Sequence, residues 1–509
     1  MLAPALMVQG TASSVGKSVL VAALCRVFRQ QGVRVAPFKA QNMSLNSFVT
    51  PDGKEIGRAQ AVQAEAAGIA PAVEMNPILL KPEGHGRSQI VMMGKPAGSF
   101  KFGDGEDRLF ELREVVAQCL KRLRQSYELV VIEGAGSPAE INLKARDIVN
   151  MHVAKLADAP VILLGDIDRG GVFAQFVGTM ELLEPDERAR VAALAINKFR
   201  GDIALLQSGL DFIVQRVAAP MLGVIPFIER LRIADEDAVA LDQRLDRSRA
   251  STMRLEIAVV RLPRISNFDD FQPLEHEPEV VVRFVETPQY LSNADLVILP
   301  GSKSTVADLA WLRASGIDRA VVERARRGEP ILGVCGGYQM LGNSIEDPHG
   351  VESSQCSTPG LGLLAVRTRF ARDKLTAQVR ARVREASFLA AAASGEELSA
   401  YEIHMGVMEA DGEVAAPFQI LSRNGQAVSA FDGAASANRA VVGTMLHGLF
   451  ENDWLRTSMI RSLRRRSGLA EPSVTTPGPN REAEYDRLAA IVRGHIDLAL
   501  LQRLSGLAR

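Results

Sequence analysis

Near its start the chain reads ALMVQGTASSVGKSVLVAALCRVFRQQG: an apolar run, a loop of small residues, then apolar positions at helical spacing up to Gly32. This predicts a strand, a tight loop and an amphipathic helix. The alternation recurs. VRVAPFKAQNMSLNS, YELVVIEGAGSPAEINLKARDIVNM, PVILLGDIDRGG and ALAINKFRGD each begin as an apolar strand and end in polar residues. Repeated strand-then-helix units predict a mostly parallel, doubly wound α/β sheet. A charged stretch, DAVALDQRLDRSRASTMR, then breaks the pattern before a fresh apolar strand in LEIAVVRLPRISNFDDFQPL, which sets a domain boundary near Thr252. Beyond it ADLVILPGSKST, EPILGVCGGYQMLG, YEIHMGVM and AVVGTMLHGLFEN alternate with helical stretches. The chain closes with a basic helix in LRTSMIRSLRRRSG, a Pro/Thr/Gly loop, and one amphipathic helix in AEYDRLAAIVRGHIDLALLQRL. The expected organisation is a first domain over 1–235, a linker over 236–252, a second α/β domain over 253–455 and a helical tail over 456–509.

Composition narrows the function classes. A net charge of −1 over 509 residues implies no general attraction to nucleic acid or to a membrane surface. The arginine run near the C-terminus has no interleaved aromatics, so it reads as a solvated or inter-domain helix. No stretch reaches the roughly 20 uninterrupted apolar residues of a bilayer span, and the N-terminus lacks the basic start and cleavage site of a signal peptide. Four cysteines, Cys25, Cys119, Cys335 and Cys356, show no paired spacing, which argues against zinc or a disulfide framework. A cytoplasmic protein is expected.

The first loop resembles a Walker A motif with one extra residue, since Gly10 stands six positions before Gly16. Backbone N–H groups of the loop and helix N-terminus face phosphate, Lys17 adds a point charge, and the Ser18 hydroxyl suits magnesium. The longer spacing resembles the dethiobiotin synthetase-like branch of P-loop proteins. Gly10, Thr11, Gly16, Lys17 and Ser18, with Lys39 and Asn197 at neighbouring strand ends, are the expected ATP contacts. Glu133 follows four apolar strand residues; it reads as a magnesium ligand beside Ser18, or as a helix N-cap. Asp147, in the charged run KARD, reads from the residues alone as a solvated surface acid.

ILGVCGGYQMLG sets Cys335 between an apolar run and two glycines, Gly336 and Gly337. A sharp strand-to-helix turn needs such neighbours, because the residue at its apex takes a strained backbone. That turn exposes a nucleophile and aims the following N–H groups at the same space. A buried structural cysteine opening a helix would read the same way.

Several segments in order, FKAQNMSLNS, EGAGSPAEIN, RDIVNM, GDIDRGGVFA and NKFRGD, resemble the signature segments of the cobyric acid synthase family, the glutamine-dependent amidases of cobalamin biosynthesis. The second half, with a strand ending in Pro-Gly, the cysteine elbow and a later Gly443-x-x-x-His447, resembles a triad-type glutamine amidotransferase domain. The resemblance implies that Cys335 attacks glutamine, that His447 is its base, that Gly301 and Gly336 donate to the oxyanion, and that Asp147 works at the carboxylate-activation centre. It implies ATP and Mg2+ as cofactors, and as substrates glutamine and adenosylcobyrinic acid a,c-diamide, amidated at carboxylates b, d, e and g. A homo-oligomer is compatible with it. His404 in YEIHMG reads as structural or substrate-adjacent. Amidotransferases of this type usually carry a glutamate two residues after the histidine; here Leu449 stands there, as in the cobyric acid synthase branch, and what orients His447 is left open, with Glu451 near in sequence. Two rival readings are cobyrinic acid a,c-diamide synthase, against which FKAQNMSLNS and NKFRGD speak, and a non-catalytic P-loop scaffold or partition protein, against which an intact Cys335 and His447 speak.

Overall fold

The computed structural model describes residues 2–84, 87–101, 106–229, 231–234, 254–390, 395–470 and 480–507. The expected linker, 236–252, lies outside them.

The first domain is built on six parallel strands. β1 (Ala5–Gly10), β2 (Val35–Phe38), β3 (Leu129–Glu133), β4 (Val161–Asp166), β5 (Val191–Phe199) and β6 (Met221–Pro226) lie in the order β6-β5-β4-β1-β3-β2. Every residue of β1 is buried, because Ala5 and Met7 face one apolar core while Leu6 and Val8 face the other. A sheet covered by helices on both faces needs such unbroken apolar strands, and their polar ends fall at the C-terminal edge where α/β sheets bind ligands. Helix α1 (Lys17–Gln30) leaves β1 through the small-residue loop, and α2 (Arg58–Ala67) packs beside it.

The second domain repeats the plan. β7 (Leu255–Val260), β8 (Val280–Val285), β9 (Leu296–Leu299), β10 (Ile331–Val334), β11 (Ala434–Ala435) and β12 (Val441–Thr444) form a sheet ordered β8-β7-β9-β10-β12-β11, parallel except for its last pair. A second, largely antiparallel sheet is built on two long strands, Val366–Val383 and Glu397–Ala410.

The C-terminal region departs from the single final helix read from the sequence. It folds as two, α3 (Arg481–Arg493) and α4 (Leu498–Ser505), and Ile496 between them bridges to Gly223 of β6. Both return to the first domain, where Tyr485, Leu488, Val492 and Leu501 join the core under α1. The preceding basic helix, Asp453–Arg466, packs instead into the second domain through Leu455, Met459 and Leu463. Its buried Arg456 is held by Glu277 at 2.6 Å and Asp453 at 3.0 Å.

The domains meet through polar contacts. Ser47 N donates to Asn267 Oδ1 at 3.1 Å and Phe268 N to Asn46 Oδ1 at 3.3 Å. Arg58 pairs with Asp269 at 2.9 Å, and Lys303 with Glu83 at 3.0 Å. Glu55 is fully buried between Lys81 of its own domain and Lys374 of the other. The two lysines outweigh burial and hold its carboxyl well below the usual carboxylate range.

Candidate active sites

The loop after β1 curls tightly. A Cβ on Gly10 would lie 2.7 Å from Val15 Cγ2 and 3.0 Å from Lys17 Nζ, so only glycine admits that curl. Gly16 caps α1 at φ +100°, and a Cβ there would strike Asn197 Nδ2 at 2.2 Å. Asn197 explains its own place: its Nδ2 donates to Val15 O at 2.8 Å and fastens the loop to the end of β5. Thr11 donates to Gln175 Oε1 at 2.8 Å. Lys17 Nζ reaches Ala12 O and Gly136 O, each at 3.1 Å, and so spans the mouth of the loop.

Glu133, at the end of β3, is completely buried. Ser18 Oγ donates to its Oε1 at 2.8 Å, Lys39 Nζ pairs with the same oxygen at 2.8 Å, and Gln63 Nε2 donates to its Oε2 at 2.5 Å. A hydroxyl and a carboxylate oxygen this close are the hard donors that magnesium accepts beside phosphate and water, and a carboxylate drawing three partners is not acting as a helix cap. Farther along the edge Lys198 joins Asp166 at 2.7 Å to Ser14 O at 2.8 Å, and Asp168 pairs with Arg200 at 3.0 Å.

Asp147 stands apart from this group. Its Oδ1 accepts from Val149 N and Asn150 N, both at 2.8 Å, and its Oδ2 from His152 N at 3.0 Å. Those bonds brace the turn that leads into the helix Met151–Ala157, whose first flanking residue is Asn150. Asn150, directly after that turn, clamps Ala135, with Nδ2 to Ala135 O at 2.7 Å and Ala135 N to Oδ1 at 3.2 Å. Asp147 therefore reaches the Glu133 loop through Asn150 rather than by touching it.

In the second domain Cys335 sits between β10 and the helix Gly336–Leu341, with φ +49° and ψ −109°. This is the left-handed φ of a sharp turn, which a non-glycine residue adopts only under constraint. The turn needs its glycines: a Cβ on Gly337 would lie 1.9 Å from Leu299 O, and one on Gly336 2.8 Å from Ser302 N. Gly301 borders the same space, since its Cβ would lie 3.2 Å from His447 Cε1. The structure thus gathers Cys335, His447, Gly301 and Gly336.

His447 is buried, and its Nδ1–H donates to Asp270 Oδ2 at 2.6 Å. Asp270 also accepts from Gly448 N at 2.9 Å and from the Tyr401 hydroxyl at 3.3 Å, and the Tyr401 ring stacks on the imidazole at 5.1 Å between centroids. Burial alone would lower the pKa of His447; the Asp270 carboxylate, with a smaller contribution from Cys335 within hydrogen-bonding reach, overrides it and raises the pKa to about 10. The carboxylate that orients His447 is therefore Asp270. Glu451 is turned elsewhere, toward Arg58 at 3.9 Å and Arg481. The sequence did carry a signal, two adjacent acids inside the apolar NFDDF, but nothing local joins that turn to a histidine 177 positions away.

A cleft of about 610 Å3 opens over Cys335. Gln339, Glu352 and His404 line it from the second domain and Lys81 and Gln89 from the first. Burial pushes the Glu352 carboxyl up to about 8, against the pull of Lys303 and the Thr305 N–H. His404 Nδ1–H donates to Gly406 O at 2.7 Å, which leaves its ring beside the cleft.

Comparison with known proteins covers both domains. Residues 6–240 match the CobQ/CobB/MinD/ParA nucleotide binding domain, and residues 256–454 match the CobB/CobQ-like glutamine amidotransferase domain. The chain is 62% identical over 519 residues to the cobyric acid synthase of Sorangium cellulosum, with all of both chains covered. It is 49% identical to that of Desulforamulus reducens, covering 99% of each. It is 50% identical to that of Moorella thermoacetica, covering 100% of this chain and 98% of the relative. With a P-loop domain and a glutamine amidotransferase domain matched end to end by these relatives, the chain belongs to the cobyric acid synthase family.

Proposed function

We propose that the chain uses ATP and glutamine to amidate carboxylates b, d, e and g of adenosylcobyrinic acid a,c-diamide, giving adenosylcobyric acid, and that it does so in the cytoplasm. The observation that supports the use of glutamine and ATP is the Cys335–His447–Asp270 constellation in the same chain as a P-loop with Glu133 and Ser18 at its mouth, and the corrinoid follows from the likeness to cobyric acid synthases. A carboxylate is a poor acyl donor, because its leaving group would be oxide. ATP therefore phosphorylates it first, and ammonia displaces phosphate from the acyl phosphate to leave an amide.

In the second domain the Cys335 thiolate attacks the side-chain carbonyl of glutamine. The N–H groups of Gly301 and Gly336 receive the oxyanion. His447, protonated through its bond to Asp270, gives a proton to the departing ammonia, and water then releases glutamate from the thioester. In the first domain Lys17 lies along the phosphates of ATP and Asn197 keeps the loop in shape. Ser18 and Glu133 are the residues that would hold Mg2+, which when bound neutralises phosphate charge during transfer.

The test follows products by mass spectrometry from candidate corrinoids with ATP and glutamine, for the wild type and for Cys335→Ser with ammonium. Four successive amidations of the a,c-diamide by the wild type are expected, with the same product from Cys335→Ser only when ammonium is supplied. Amidation of cobyrinic acid that stops at two positions would replace this reading with a,c-diamide synthesis.

A further inference from the structure

Any link between the two sites rests on the function proposed for them, glutamine hydrolysis in one domain and carboxylate activation in the other. One ten-residue helix, α2, touches both. Near its middle, Gln63 donates to Glu133 at 2.5 Å and to Ser18 O at 3.4 Å. At its first residue, Arg58 pairs with Asp269 at 2.9 Å. Asp269 directly precedes Asp270, which holds His447. Gln63 and Arg58 are thus separated by only about 7–8 Å of helix at 1.5 Å rise per residue.

Every residue of α2 except Glu65 is buried, and five of the ten are alanines. A short helix packed on all sides moves as a body rather than bending. The turn it grips, Phe268–Phe271, is itself docked on the first domain, since it takes a hydrogen bond from Ser47 through Asn267 and gives one to Asn46. Arg58 is 6% exposed and Asp269 3%, so the charge pair they make across that contact is buried. Burial, with the neighbouring Asp270, pushes the Asp269 carboxyl up to about 6, and Arg58 pulls against that rise. Asp269 thus takes its cation from α2, while Asp270 is the carboxylate that bonds His447.

We propose that Arg58 is a positioning residue for the glutamine reaction, and that α2 carries the state of the ATP site to it. Gln63 shares Glu133 with Ser18 and Lys39, so any redistribution of those partners when nucleotide binds reaches α2 first. The helix passes it through Arg58 and Asp269 to the turn that aims Asp270. Ammonia release would then be tuned to the occupancy of the site that consumes it. Both sites bias one element, which is the physical requirement for coupling.

The experiment measures glutamine hydrolysis with and without ATP, Mg2+ and corrinoid, beside ammonium-driven synthesis, in wild type, Arg58→Met, Arg58→Lys, Asp269→Asn and the Arg58→Met/Asp269→Asn double variant. Wild-type hydrolysis should rise when the synthetase substrates are added. Arg58→Met and Asp269→Asn should each lower kcat for hydrolysis about 10- to 100-fold, shift the alkaline limb of its pH profile downward and abolish the rise. Arg58→Lys should restore part of it, and the double variant should be no worse than the singles. Wild-type hydrolysis that ignores ATP, single variants that keep the wild-type response, or a parallel loss of ammonium-driven synthesis would each overturn the proposal. Cys335→Ser separates the two levels: if it still hydrolyses glutamine, the proposed function fails, whereas loss of hydrolysis there with an unaltered ATP response in Arg58→Met sinks only the coupling.

Discussion

His447 Nδ1 lies 2.6 Å from Asp270 Oδ2, a pair drawn from opposite ends of the second domain. Tyr401 closes it from the side, stacked on the imidazole and bonded to the same carboxylate, while Asn267 Nδ2 donates to the Tyr401 hydroxyl at 3.1 Å. The ring is thus fixed in plane, with Nδ1 held on Asp270, before glutamine arrives. The position two residues after the histidine, filled here by Leu449, is buried in the apolar core and has no part in orienting it.

Asp270→Asn tests that pair through pH. The carboxylate overrides the lowering effect of burial and raises His447 from 6.5 to about 10. The sign is that of a raised base: the pair's contribution to stability is full below 6.5 and is lost as pH rises through about 10. In the proposed mechanism the imidazolium that protonates ammonia is lost over the same range. Asparagine removes the charge, so the alkaline limb of glutamine hydrolysis should move to lower pH and kcat should fall about 10²- to 10⁴-fold. Ammonium-driven synthesis should continue. An unmoved alkaline limb would show that Asp270 does not set the protonation of His447.

Lys17→Ala addresses the other half. Its Nζ spans Ala12 O and Gly136 O, across the mouth of the phosphate loop. Loss of that point charge should lower ATP-dependent synthesis about 10²-fold or more, with glutamine or with ammonium as nitrogen source. Basal glutamine hydrolysis should survive, because its nucleophile lies in the other domain. Retained ammonium-driven synthesis would remove Lys17 from the phosphate site.

Two glycines should respond in opposite directions. Gly337→Ala drives a methyl group to within 1.9 Å of a backbone oxygen in β9, which cannot turn aside as a side chain would. We expect a loss of about 1–3 kcal/mol or more, with glutamine hydrolysis lost as the elbow distorts. Gly178 lies inside the helix Val172–Leu182 with nothing within 4 Å of its would-be Cβ. Gly178→Ala should gain about 0.5–1 kcal/mol at unchanged activity. Thermal unfolding of the two variants checks both signs.

Much of the fold and of both sites was legible in the sequence because it is local. The strand ends at Glu133 and Asn197, the phosphate loop and the cysteine elbow each follow from a short run whose backbone demands particular residues. Asp270 was not legible, since its role arises from a turn meeting a strand end far along the chain. The split of the final helix was hidden for a similar reason: Ile496 fits an amphipathic pattern, yet its bridge to Gly223 ends the helix before it. A Cβ on Gly223 would lie 2.1 Å from His495 O, so that contact depends on a glycine in a strand of the first domain.

Asp147 joins the two kinds of information. Read alone it is a surface acid; by resemblance it belongs to the carboxylate-activation centre; in the structure its two oxygens take three backbone N–H groups at the head of the helix Met151–Ala157. Those three bonds fix the turn between the run KARD and the helix. Its consequence for chemistry runs through Asn150, whose amide holds Ala135 two residues beyond Glu133. Asp147→Asn keeps the volume, removes the charge and replaces one acceptor oxygen by an NH2 group that cannot receive a backbone N–H. The turn before the helix should weaken, and the loop carrying Gly134 to Gly136 should loosen around the Lys17 contact. We therefore expect slower amidation with either nitrogen source and a changed distribution of partly amidated intermediates, since in the function proposed above four carboxylates pass one site whose wall is less fixed. Glutamine hydrolysis measured without ATP should be unaffected. Wild-type rates with a wild-type order of intermediates, at a lowered melting temperature, would confine Asp147 to bracing its turn.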